Sequence, residues 1–267
     1  MNQRVDILTH HAGRLQTGVG VAYPGSHANF RGYDLHADLK GMDWVELYLF
    51  GITGRRYSKA QVRLVHAIWV YTSYPDTRLW NNRVAALTAS ARSSPNLGLA
   101  AAMALSEATV YGGRAGFQSL DFLLRAKTAV DAGTALQSFV QSELQTRRIY
   151  GYGRPIHSTD ERIPWMMALV RELGFDKGAH LQLAFEVEQI LLPQHPQLRM
   201  NYAALHAALI ADLGLSAREY QLLRAPTFMA GMVPCVVEAV GKPQGAIFPT
   251  PCDHVTYEGV GTRAWHA

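Results

Sequence analysis

Three short segments of the chain set glycines and small residues beside side chains that can hold an anion. The first is Tyr111-Gly112-Gly113-Arg114-Ala115-Gly116, which opens a predicted helix. Paired glycines let a backbone approach a ligand closely, and a helix start presents free N–H groups to negative charge. Tyr111 adds a hydroxyl donor and Arg114 a guanidinium. The segment lacks the lysine and the spacing of a P-loop, and a tight helix–helix turn is the plain alternative. The second is Gly151-Tyr152-Gly153-Arg154-Pro155-Ile156-His157. Here Arg154 can make two parallel hydrogen bonds to a carboxylate or phosphate, and His157 is of the type that titrates near neutrality. A solvated surface loop would read the same way. The third is Leu198-Arg199-Met200-Asn201-Tyr202-Ala203, where Asn201 can cap the helix that follows. His206 lies three residues beyond Ala203, nearly one turn on. Metal chemistry is not expected. The eleven histidines form no HExxH and the two cysteines no cluster with them. No GxSxG elbow supports a serine hydrolase.

Such segments need a frame, and the periodicity makes it helical. The 267 residues are 48% hydrophobic and 17% charged, which excludes a disordered chain. Lys plus Arg number 25 against 21 Asp plus Glu, a formal charge of +4. The basic residues are scattered rather than gathered in a stripe, so no nucleic-acid partner is expected. The most apolar stretch, 97–105, is short of the roughly 20 residues of a membrane span. The first residues have no signal-type apolar run. The expectation is a cytoplasmic chain without a membrane partner or a structural disulfide. Apolar spacing predicts helices at 43–50, 58–72, 79–93, 97–110, 115–128, 131–147, 160–173, 177–192, 202–213, 216–224 and 227–240. Ser58-Lys-Ala-Gln61 and Ser216-Ala-Arg-Glu219 have the form of capping boxes. Gly174 and Gly214 stand where a left-handed residue closes a helix. Only 18–23, 30–35 and 246–257 look extended, so the fold class is all-α, and alternating βαβ units are absent. The helix at 97–110, small and apolar all round, predicts a central core helix, with packing across a subunit interface as the sharper alternative. Glycines and a proline near 147–160, with a second crossing near 222–232, predict a large helical domain of 1–150 and 225–267. Residues 151–224 would then form a small helical domain.

Taken in order, these segments resemble the citrate synthase superfamily, including its short members, the citryl-CoA lyases. Phe30-Arg31-Gly32-Tyr33-Asp34-Leu35 is similar to the family's YRGYD segment, and 44–50 to the apolar helix after it. The family's ARVxAS helix is echoed by Arg83-Val84-Ala85-Ala86-Leu87-Thr88-Ala89-Ser90. Its HGG motif falls on Tyr111-Gly112-Gly113, its GFGHPVH or GFGHRVY loop on 151–157, and its Asn-Val-Asp motif on Asn201-Tyr202-Ala203. Its closing R-P-x-x-x-Y-x-G segment falls near 248–259, with Tyr257 and Gly259 in register.

The resemblance implies an all-helical homodimer with a large and a small domain, binding an acyl-CoA and a keto acid and making or breaking a carbon–carbon bond. It implies no resident cofactor, with a coenzyme A thioester as substrate. In the family the proton transfers fall to the His of HGG, the His of GFGH and the Asp of the Asn-Val-Asp motif. Those positions here are Tyr111, Arg154 and Ala203. The family's further histidine, ahead of ARVxAS, is missing from 72–76, and the arginine of the closing segment is missing near Thr250 and Pro251. Ala203 removes a general base, a group that usually contributes about 10²–10⁴-fold. Tyr111 keeps a donor, and Arg154 keeps a donor fork that cannot act as acid or base. The implied site therefore has Tyr111, Arg154 and His157 in catalytic roles. Arg83, Gly112, Gly113, Arg114, Asn201 and His206 would hold substrate. Two functions are compatible with these changes. One is a divergent enzyme acting on an acyl-CoA, a small di- or tricarboxylate, or both. The other is a non-catalytic paralogue that binds a metabolite or serves as a regulatory or partner subunit.

Overall fold

The computed structural model of the chain describes residues 3–13, 15–109, 112–154, 159–247 and 249–265. Among them are eleven α-helices: α1 Gln3–His11, α2 Trp44–Thr53, α3 Lys59–Thr72, α4 Trp80–Ser90, α5 Pro95–Ser106 and α6 Gly113–Asp131, followed by α7 Leu136–Thr146, α8 Arg162–Glu172, α9 Ala179–Leu191, α10 Tyr202–Asp212 and α11 Ala217–Val240. A small antiparallel sheet of β1 Gly20–Tyr23, β2 His27–Phe30 and β3 Tyr33–Asp34 lies between α1 and α2 in sequence. The all-α expectation holds. Segment 246–257, read as extended, carries a 3₁₀ turn at Cys252–His254 and no strand among its described residues. The two helices expected at 216–224 and 227–240 are one, α11, with Pro226 and Pro234 inside it.

The caps follow the sequence closely. Gln61 N–H donates to Ser58 Oγ at 3.2 Å and Ser58 N–H to Gln61 Oε1 at 2.8 Å. Ser216 and Glu219 make the same reciprocal pair. Each box satisfies two backbone donors that a helix start leaves open. Gly174 and Gly214 take φ of 77° and 76°, the left-handed closing conformation. The start of α9 is capped at long range. Asp212, at the end of α10, accepts from His180 N–H at 2.8 Å, Leu181 N–H at 3.0 Å and His180 Nδ1 at 2.9 Å. Asp212→Ala is expected to lower stability by about 0.5–2 kcal/mol, the range for losing a helix cap, measured as a shift in denaturation midpoint.

Backbone contacts divide the chain into two units, Met1–Thr72 with Thr109–Ala225, and Ser73–Ala108 with Pro226–Ala267. The bounds differ from the expected domains, and the whole of 151–224 falls in the first unit. The division passes through α11 at Pro226. The core of the first unit surrounds α10, where Tyr202 and every residue from 204 to 211 are buried. Leu120 and Leu123 of α6, Met166 and Val170 of α8, and Leu181 and Val187 of α9 belong to the same cluster.

The central helix is therefore α10, and the expectation for 97–110 is corrected. In α5 only Gly98, Ala102 and Ser106 are buried, one side chain per turn, while Leu97 is 68% exposed. Small residues serve a different end there. An added Cβ at Gly98 would overlap Thr88 of α4, so α5 lies close against α4 along this narrow stripe. In the same second unit Ala85, Ala102 and Met232 form one small cluster, and Ala86, Ala89, Cys235 and Ala239 another. By length and apolar composition α11 would suffice to cross a membrane. Its Tyr220, Leu223, Arg224, Thr227, Met232 and Cys235 are buried within the protein.

Candidate functional site

Within the first unit, the starts of α6 and α10 and the loop at 151–154 come together. Gly151 has φ of 92°, and a Cβ there would meet Ala204 Cβ of α10 and Ser119 Oγ of α6, each at 2.7 Å. Only glycine fits both that backbone conformation and that spacing. Beyond it, Tyr152 pairs with Met200 in an isolated antiparallel bridge. Asn201 N–H donates to the Gly151 carbonyl at 2.9 Å, and Gly153 N–H to the Arg199 carbonyl at 2.6 Å. Asn201 works at both ends. Its Oδ1 accepts from Ala203 N–H at 2.9 Å, the expected cap, and its Nδ2 donates to the Gly153 carbonyl at 2.7 Å. The loop that carries Arg154 is thus tied to the start of the central helix.

A buried polar cluster supports this junction from below. Arg224 of α11, 8% exposed, donates from Nη1 to the Gly113 carbonyl at 2.8 Å. Gly116 has no room for a Cβ because Arg224 and Tyr220 fill the space. The third glycine of the first segment is therefore explained by packing rather than by a ligand. Tyr220 bonds through its hydroxyl to His206 Nδ1. The His206 ring is 2% exposed and meets Tyr202 edge-on at 5.1 Å. Burial, with the Arg224 and Arg162 charges adding to it, holds His206 well below its ordinary pKa. Burial pushes the Tyr220 hydroxyl up to about 12, against the opposing pull of Arg224. At neutral pH the phenol keeps its proton and the imidazole is uncharged, and the two share one hydrogen bond. The expectation that His206 contacts substrate and moves protons departs from this placement. The ring is packed in the interior and orients Tyr220.

A second buried group sits at the start of α10. The Asp160 side chain accepts from Arg162 Nε at 2.8 Å and Nη2 at 2.7 Å, and from Tyr202 N–H at 2.8 Å. Burial raises its pKa, but the Arg162 hydrogen bonds and charge, with the backbone donors, outweigh that and leave it lowered. The Arg162 guanidinium lies 4.5 Å from the centre of the Tyr202 ring, an arrangement that suits arginine better than lysine.

The remaining expected site residues fall as follows. Tyr111 and His157 lie outside the described residues. Gly113 is buried, and Arg114 is exposed on the first turn of α6. Gly112 precedes that turn with an extended backbone. Arg154 bonds to the Thr159 carbonyl and to Glu161. Ala203 is half-buried on the first turn of α10. Arg83 is exposed on α4, in the second unit. Sequence reasoning missed Asp160, Arg162, Tyr220 and Arg224. A lone arginine amid QLLRAPTFM was the available signal for Arg224, since a charge in an apolar run stays buried only with partners.

Comparison with known proteins extends this geometry. No curated protein matches the sequence. Among solved structures, the citryl-CoA lyase of Hydrogenobacter thermophilus superposes with a TM-score of 0.82 at 22% identity, over 94% of this chain and 97% of that one. The ATP citrate lyase of Methanosaeta concilii, determined with (3S)-citryl-CoA, gives 0.74 at 16% identity, covering 98% of this chain and 45% of that one. The citrate synthase of Thermoplasma acidophilum, determined with carboxymethyl coenzyme A and oxaloacetate, gives 0.66 at 17%, covering 84% and 59%. At such identities these likenesses establish the fold. The family profile described as citrate synthase, C-terminal domain, matches residues 6–247. That span takes in the glycine-opened α6, the 151–154 loop and the Asn201-capped α10, and the chain belongs to the citrate synthase family.

Proposed function

We propose that this chain is a divergent citrate-synthase-type protein that binds an acyl-CoA, a small di- or tricarboxylate, or both. Its reaction would be carbon–carbon bond formation or cleavage by altered chemistry. One observation carries the reading: Gly151, fitted against both Ser119 and Ala204, joins the three segments that in this family hold the ligand. Tyr111 and Arg154 would polarise or hold carbonyl and carboxylate oxygens, and charge-assisted hydrogen bonds of that kind are the strong ones. His157 would be the titrating group, with Gly112, Gly113, Arg114 and Asn201 lining the ligand. No resident cofactor is proposed; the thioester is the substrate. A homodimer is part of the proposal, supported by the exposed, small-residue side of α5.

A second reading, a non-catalytic metabolite-binding paralogue, is favoured by Ala203. At that position no side chain can take a proton, and the nearby His206 is buried. Thermal denaturation with coenzyme A esters and with di- and tricarboxylates tests the shared claim. A ligand at 100 times its Kd is expected to add about 2.7 kcal/mol, or a Tm rise of several degrees for a chain of this size. No rise with any of them would remove the binding claim. A rise without turnover of the bound ligands would select the paralogue.

A further inference from the structure

The Arg154 guanidinium already holds a carboxylate, and the chain itself supplies it. Nη1 donates to Glu161 Oε2 at 2.8 Å and to the Thr159 carbonyl at 2.6 Å. The Arg154 side chain is 26% exposed and that of Glu161 59%. Both bonds leave from one nitrogen. Among the described residues no bond leaves Nε or Nη2, the edge that presents two parallel N–H groups to a carboxylate. The neighbouring Asp160 is no rival for Arg154, because both its oxygens are taken by Arg162. The backbone at 153 is held by Arg199 and Asn201, so Arg154 is anchored while Glu161 stands on the exposed side.

We propose that Glu161 is a specificity-determining residue: an internal carboxylate that competes with a ligand carboxylate for Arg154. Its charge would repel an incoming anion and neutralise the cation that attracts it. A ligand that other groups of the site also hold offsets this cost, and one held by Arg154 alone does not. The inference rests on the reading of Arg154 as a carboxylate-binding group.

Calorimetric titration of citrate into the full chain tests it, using wild type, Glu161→Gln, and Glu161→Gln combined with Arg154→Ala. Glutamine keeps the acceptor and removes the charge. Exposed ion pairs contribute up to about 1 kcal/mol, so Glu161→Gln is expected to bind citrate about two- to fivefold more tightly. The gain should vanish in the double variant. Equal affinity in wild type and Glu161→Gln, or a gain that survives loss of Arg154, would overturn the competition. Titration of acetyl-CoA into the wild type keeps the two claims apart. If acetyl-CoA binds and citrate binds to neither form, the competition falls and the ligand reading stands. If neither ligand binds any form, both fall.

Discussion

Alanine at position 151 is expected to cost roughly 2–5 kcal/mol of folding stability, from overpacking and left-handed backbone strain together. The new Cβ would sit 2.7 Å from both Ala204 Cβ and Ser119 Oγ and 3.0 Å from Ala204 Cα. Ala204 is fixed on the most buried helix of the protein and has no rotamer by which to retreat. A matched control separates space from backbone. Gly133 has almost the same φ, 90°, but nothing lies within 4 Å of the position where its Cβ would be. Gly133→Ala should therefore lose only about 1–2 kcal/mol, the strain part alone. Chemical denaturation of the two variants reads the difference directly. Equal losses would show that α6, α10 and the loop are not closely packed at Gly151.

The second large effect belongs to Asp160. Asp160→Ala would leave Arg162 without its bidentate partner and Tyr202 N–H without its acceptor. Removing one member of a buried pair typically costs about 3–5 kcal/mol. The pH dependence has a definite sign. The folded pKa of Asp160 is lowered, while an unfolded aspartate titrates near 3.9. The folded protein therefore binds this proton less readily than the unfolded chain. The stabilisation is full above the unfolded value and is lost as pH falls through the folded one. The advantage of wild type over Asp160→Asn should be largest near neutrality and shrink below about pH 4. Denaturation midpoints at pH 7 and pH 3 measure it, and an advantage that grows on acidification would contradict the assignment.

Much of the frame was legible because helix ends are written in local chemistry. The boxes at Ser58 and Ser216, the cap at Asn201 and the left-handed glycines at 174 and 214 each act within a few residues. Which helix would be central was not legible. Stretches 97–105 and 202–211 are both rich in alanine and each carries four large apolar side chains, Leu97, Leu99, Met103 and Leu105 in one and Tyr202, Leu205, Leu209 and Ile210 in the other, yet only the second is buried almost throughout. Two helices of such similar composition differ in which neighbours the chain folds around them, and that is set by contacts distant in sequence. The merging of two expected helices into α11 escaped notice because proline breaks a helix by removing a donor. Here the chain keeps a helical path through Pro226 and Pro234. The site was legible in its segments and not in its supports. Arg224 meets Gly113 across 111 residues of sequence, and Asp160 meets Tyr202 across 42. No local pattern announces a partner at that distance. Glycine 116 shows the limit well: its motif suggested ligand approach, and the structure gives the space to Arg224 and Tyr220.

The same features bear on chemistry. The proposed site, with Tyr111, Arg154 and Ala203, would keep donors for an anion and would lack the carboxylate base that the resemblance implies for the family. The most direct measurement is thiol release from acetyl-CoA in the presence of oxaloacetate, with the purified protein. No release at the ordinary enzymatic scale of about 1–10³ s⁻¹ is expected. Release at that rate would mean that a base acts where the chain has Ala203, and the mapping of the three segments would be wrong.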